Sequence, residues 1–202
     1  MKKSIGKSIV ALVIIAVSSM AFAFASRAYE ESPVRPYIGV EHGHVEITDE
    51  RVPFVGITIG SKLSARTSAE VFARAEALSS FPGSGMSVSV TETESAFAFA
   101  AGVSITTRMF RDSAFNPFVQ VGIGSLAVGH FISEGDEDWV MSDLQHTLYS
   151  MAATGLEVNI FGGLSSQFTH GYRYVPHKEV LGLAPHTLSG TFNSVAFKAY
   201  LD

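Results

Sequence analysis

The sequence predicts an all-β protein, an eight-stranded antiparallel transmembrane β-barrel with short periplasmic turns and longer extracellular loops. Three observations point to it. The first is period-two alternation, which recurs about eight times along the 202 residues and marks strands with two unlike faces. In segment 163–175, Leu164, Phe168, Tyr172 and Tyr174 are apolar or aromatic, while Ser165, Gln167, Thr169, Gly171 and Arg173 are small or polar. The second is composition. Charged residues make up 16% of the chain, against about 25% in soluble domains, and the mean hydropathy is positive. Yet no stretch beyond the N-terminus approaches the roughly 20 apolar residues of a helical span. Strands whose lipid-facing residues alternate with lumen-facing ones reconcile the two facts. The third is the spacing of the connections, which alternate between short and long.

The first residues are of another kind. Lys2, Lys3 and Lys7 precede an apolar run from Ile9 to Val17, and small residues follow through Ala21, Ala23 and Ala25. That order is a secretory signal peptide. Residues 1–25 are expected to be removed, with Ala28 the alternative cleavage point, and residues 26–202 to form the barrel domain. Loss of three lysines takes the formal net charge from −5 to −8. A chain this acidic is unsuited to nucleic acid, whose binding rests on neutralising phosphates. With no cysteine, disulfides and thiol chemistry are excluded.

The strands are expected at 36–46, 52–62, 66–78, 94–110, 117–132, 144–159, 163–175 and 188–201. The first is the least regular. In the second, Val55, Ile57 and Ile59 oppose Gly56, Thr58 and Gly60. The third sets Ala69, Val71, Ala73 and Ala75 against Ser68, Glu70, Arg74 and Glu76; a helix there would lack a 3.6-residue stripe. The fourth opposes Phe97, Phe99, Val103 and Ile105 to Ala98, Ala100, Gly102 and Ser104. In the fifth, Val119, Val121 and Ile123 oppose Gln120, Gly122 and Gly124, and in the sixth Leu156 and Val158 oppose Gly155 and Glu157. The connections at 63–65, 111–116 and 160–162 are short. Those at 79–93, 133–143 and 176–187 are long and polar, and the one at 47–51 is a short exception among them. A periplasmic N-terminus puts the short turns on the periplasmic side.

A soluble lipocalin-like barrel would alternate too, with its apolar residues inward. Its outer surface would then be Ala98, Ala100, Gly102, Gly122 and Gly124, where water-facing strands carry Lys, Glu and Thr. Small residues suit the crowded interior of eight strands instead. Segment 116–124 (NPFVQVGIG) resembles the fifth strand of the small outer-membrane barrels of the OmpA-like and opacity-type porin family, and Gly171-Tyr172-Arg173-Tyr174 resembles their seventh. The resemblance implies an outer-membrane barrel without catalysis, assembled by the barrel-assembly machinery and surrounded by outer-membrane lipid and lipopolysaccharide. Family members commonly end in an aromatic residue; this chain ends in Leu201-Asp202.

On the inner faces the alternation places a lumen charge network: Glu41, Glu70, Arg74, Glu76, Arg108, Glu157, Arg173 and Lys198, with Gln120 beside them. Charges in so narrow a space must be paired, because an isolated one costs several kcal/mol. Tyr37, Trp139, Tyr172 and Tyr174 are assigned to an aromatic girdle at the membrane interfaces. His42, His44 and Glu46 share one strand face, but three ligands of clear geometry are lacking, so no metal is assigned. Loop 133–143 clusters acidic residues around Trp139 and reads as a solvated loop.

No catalytic residue and no cofactor are assigned. A lipopolysaccharide-modifying barrel enzyme would need a Ser beside a His. Ser166 and His170 share a face but stand four residues, about 13 Å, apart along a strand. The expected role is structural or surface-interacting, in the outer membrane of a Gram-negative bacterium, with a side-chain-filled lumen and an unspecified external ligand or host surface. Beside the enzyme, the soluble periplasmic binding barrel stands as the other alternative.

Overall fold

The computed structural model describes residues 35–47, 50–78, 95–110, 113–133, 139–141, 144–161, 163–176 and 188–201. The expected signal segment lies outside them, as do most of the loops at 79–93 and 176–187 and the acidic residues 134–138.

Alternation becomes strand wherever it was expected. The elements are β1 (Arg35–Ile47), β2 (Glu50–Lys62), β3 (Thr67–Leu78), β4 (Ser95–Arg108), β5 (Phe115–Ser133), β6 (Trp139–Met141), β7 (Gln145–Phe161), β8 (Leu164–Tyr174) and β9 (Gly190–Tyr200). Each long strand pairs antiparallel with its neighbours, and β9 returns to pair with β1, so eight strands close into a barrel. The short β6 stands outside that ring and pairs only with the end of β5, Ser133 opposite Trp139 and Phe131 opposite Met141. The loop expected from 133 is therefore partly a hairpin extension. Its backbone continues the ladder, although acidic residues lie between its two strands.

Register fixes how the strands are staggered. Stepping across the ladders from Pro36 through Ser61, Ala69, Ile105, Val121, Ala152, Tyr172 and Thr191 returns to β1 at Glu46, ten residues further on. Such a stagger tilts the strands, typically by about 35–45°, and leaves an interior just wide enough for side chains. Tight turns close the other end. In the β7–β8 turn, Gly163 takes φ = 84°, a left-handed conformation that a Cβ disfavours, and its carbonyl accepts the Tyr200 amide at 2.7 Å.

The two faces divide as β-pleat requires. Ile57, Ile59, Val121, Ile123 and Leu148 are more than half exposed on the outside. Thr58 (beside Ile57 and Ile59), Gln120 (beside Val121) and Glu157 are under 5% exposed on the inside. This is the reverse of a lipocalin-like barrel, and that alternative falls with it. The core is the barrel's own interior. Toward the long-loop end it is apolar, a cluster that includes Val45, Ile47, Val52, Leu126, Val128 and Leu188. Toward the short-turn end it is polar.

Candidate functional site

The interior polar groups are positioned in pairs across glycines. On β2 the inner face reads Gly56, Thr58, Gly60. Glu41 on β1 and Arg74 on β3 both lie in register with Gly56. With no side chain between them, Arg74 Nε and Nη2 donate to the two oxygens of Glu41 at 2.8 and 3.1 Å. A Cβ at Gly56 would stand 2.9 Å from Arg74 Cγ. The same device works two pleats away. Tyr37 and Glu70 flank Gly60, and the Tyr37 hydroxyl donates to Glu70 at 2.8 Å.

Around Glu70 a dense group forms. Lys198 Nζ donates to its Oε2 at 2.8 Å, while Ser104 at 2.9 Å and Gln120 at 2.6 Å donate to its Oε1. Nearer the short turns, Arg108 pairs with Glu157 at 2.6 Å and donates to Ser68 at 3.2 Å, and the Tyr200 hydroxyl donates to Glu157 at 2.8 Å. Above these, the Arg74 guanidinium lies over the rings of Phe54, Phe72 and Phe192 at 5.0, 4.8 and 5.4 Å, where cation–π attraction adds to the ion pair. Arg173 on β8 crosses the lumen to Glu76 on β3. Among the described residues it is the most sparsely bonded of the four pairs, because Arg173 Nε and Nη2, Glu76 Oε2 and the nearby Tyr149 hydroxyl have no hydrogen-bond partner there.

Among the described residues four carboxylates and four cations thus sit inside, each matched to one opposite charge. All are under 9% exposed. Bidentate and multiply bonded pairing is what makes buried charge tolerable in a low-dielectric space. Chemically, the arrangement neutralises and fills. The apolar cluster caps it toward the long loops.

The aromatic girdle needs a correction. Tyr172 and Tyr174 face outward, 49% and 44% exposed. Tyr37 does not; it is 1% exposed and points into the lumen. The reason is parity, since Tyr37 stands four residues before Glu41 and shares its face. Trp139 lies on β6, and its side chain is outside the described residues. His42, His44 and Glu46 do share an outward face of β1, but His44 Nε2 and Glu46 are 3.9 Å apart and no described group of three or more ligands could hold a metal. His170 turns to Asn193, Nδ1 to Oδ1 at 2.8 Å, rather than to Ser166. The part that sequence reasoning missed is the apolar upper lumen. Its residues are inner-face positions by parity, so counting every second residue from Glu41 to Val45 and Ile47 finds them.

A closed antiparallel eight-strand barrel, apolar outside and ion-paired inside, is the class of protein that fold and site define. Solved structures of that class share its fold and little of its sequence. A major outer membrane protein from Thermus thermophilus aligns with a TM-score of 0.58 at 6% identity, over 84% of this chain and 100% of that one. Neisserial surface protein A gives 0.56 at 11% identity, over 83% and 97%. The N-terminal β-barrel domain of Pseudomonas aeruginosa OprF gives 0.53 at 8%, over 82% and 97%. No protein-family model and no curated protein matches the chain.

Proposed function

We propose that the protein is a non-catalytic outer-membrane barrel with a structural or surface-interaction role and a lumen filled by its own side chains. One observation carries this reading: the large apolar residues face out in a continuous band while eight charges are paired within. Water would not solvate such a surface; hydrocarbon does, and a barrel without edges satisfies every ladder hydrogen bond there. Similarity of fold to small outer-membrane barrels supports the same location. Residues 1–25 serve as the cleaved export signal in this reading, the barrel-assembly machinery inserts the chain, and outer-membrane lipid and lipopolysaccharide surround it.

Membrane fractionation followed by a heat-modifiability gel tests location and closure together. The protein is expected in the outer-membrane fraction, migrating differently before and after boiling. Recovery in detergent-free buffer would overturn the proposal.

A further inference from the structure

The outer surface is not apolar all the way round. One row of outward side chains lies in register across four strands: Thr154 on β7, His170 on β8, Asn193 on β9 and His44 on β1. Three of its members are bonded to one another, while the Thr154 hydroxyl donates to the Phe118 carbonyl at 3.0 Å. His170 meets Asn193 at 2.8 Å, and Asn193 Nδ2 donates to His44 Nε2 at 3.4 Å. Beside the row, Glu46 accepts from the Thr191 hydroxyl at 2.9 Å and lies 3.6 Å from Arg51, whose side chain is 75% exposed.

On this side, along β8, β9 and β1, the row ends the apolar band, whereas on β7 outward Ala152 and Leu148 continue past Thr154. On β8 the row follows Leu164 and Phe168, on β9 it stands beyond Phe197 and Val195, and on β1 it succeeds Ile38 and Val40, with outward His42 between. At the short-turn end of the same side the surface stays apolar, with Phe161 and Leu201 exposed. Across the barrel the order is shifted. There Ser61, Thr67 and Thr107 occupy the outward strand positions nearest the short turns, with exposed Met109, Phe110 and Phe115 only beyond them at the β4–β5 turn. The apolar run then extends toward the long loops through Ala75, Ala77, Phe99 and Phe97. The band is therefore slanted around the barrel.

A slanted band levels itself in a bilayer by tilting the barrel. That tilt lifts the row out of hydrocarbon, where its polar groups would be costly, to the depth of the headgroups. Exposed Tyr172 and Tyr174 stand just beyond His170, where amphipathic rings favour the interface. The row is made of hydroxyl, amide and imidazole donors and acceptors, and its nearby charges, Arg51 and Glu46, offset each other. It spans three inter-strand spacings of about 4.8 Å each, far wider than a single phosphate. Such a surface suits the hydroxyls of a sugar headgroup better than the lone charge of a phospholipid.

We propose that the barrel sits oblique to the membrane and that the His44–Asn193–His170 row is a docking ledge for the sugar headgroup of an outer-leaflet glycolipid. The proposal rests on the membrane-barrel reading and names a partner for its outer face.

The chain has no cysteine, so single-cysteine reporters are clean. Thr191→Cys, beside the ledge, and Ala75→Cys, at comparable depth on the opposite side, are compared in phosphatidylcholine vesicles with a water-soluble maleimide. Thr191→Cys should label readily and Ala75→Cys hardly at all. Lipopolysaccharide in the vesicles should slow labelling at Thr191→Cys, and an equal charge of phosphatidylglycerol should not. In a second measurement, the His44→Ala/His170→Ala variant should retain about tenfold less lipopolysaccharide on purification, as expected from losing two or three hydrogen bonds, while Ser125→Ala on β5 retains it.

Equal protection of both cysteines would overturn the tilt, and crosslinking of Thr191→Cys to a second copy would show the row to be a protein contact. Equal slowing by both anionic lipids, or unchanged retention by the double variant, would remove the glycolipid. A heat-modifiability gel on each sample separates these outcomes from failure of the barrel itself, which would show as loss of the folded band.

Discussion

Interior pairing is decided by single residues, some of which have no side chain. Gly56 admits the Arg74–Glu41 pair, so Gly56→Val should push the guanidinium off its carboxylate and destabilise the barrel, while Gly56→Ala costs less. Urea unfolding in detergent would rank the two, and a neutral Gly56→Val would sever the link between this glycine and the pair. Breaking a buried pair leaves a bare charge and costs about 3–5 kcal/mol. Arg108→Met should reach that range, because its partner Glu157 is held from several sides. Arg173→Met should cost less, since that pair is the most sparsely bonded. A double-mutant cycle sharpens the point. Glu76→Gln should restore much of the Arg173→Met loss, whereas Glu70→Gln and Glu157→Gln should merely add to it. Which residues point inward was legible from parity alone, and the same parity, applied to Tyr37, places it beside Glu41. Which Glu meets which Arg was not. That depends on a ten-residue stagger accumulated over eight ladders, and no local pattern encodes it.

At the level of strands, alternation was easiest to read where the two faces differ most. β8 shows it cleanly, with Phe168, His170, Tyr172 and Tyr174 out and Thr169, Gly171 and Arg173 in. The signal inverts toward the long-loop ends of β1 and β2, where Val45 and Val52 line the lumen while His44, Glu46 and Arg51 face out, and it fades on β5, where Leu126 and Val128 point inward between small outward residues. The β5–β6 extension was missed for a related reason: acidic residues between two short pairing runs resemble a solvated loop. Facing has a direct test. Val121 on β5 is 58% exposed near the middle of the outward band, so Val121→Lys should cost about 2–4 kcal/mol against hydrocarbon. Thr191→Lys, beside the polar row on β9, should cost far less. Folding yields into lipid vesicles would compare them, and equal tolerance would contradict the slanted band.

For the molecule as a whole, the stacked contents of the lumen predict electrical silence. Purified protein in planar bilayers should show little steady conductance, because paired charges occupy one half and an apolar cap the other. Large ohmic openings in most insertions would defeat the filled lumen. Emptying the cap with Leu126→Ala and Leu188→Ala should weaken the seal more than any single charge change. The seam between β1 and β9 carries a different consequence. Its partners stand at opposite ends of the sheet in sequence, Tyr37 against Tyr200 and Glu46 against Thr191, and the Leu201 amide ties back to the Pro36 carbonyl at 2.8 Å. No chain lacking β9 can make that seam, and without it β1 and β8 would each keep a raw edge able to join a neighbour's. Closure therefore couples the two ends of the fold, and removing the eleven-residue β9 would open β1 and β8 together.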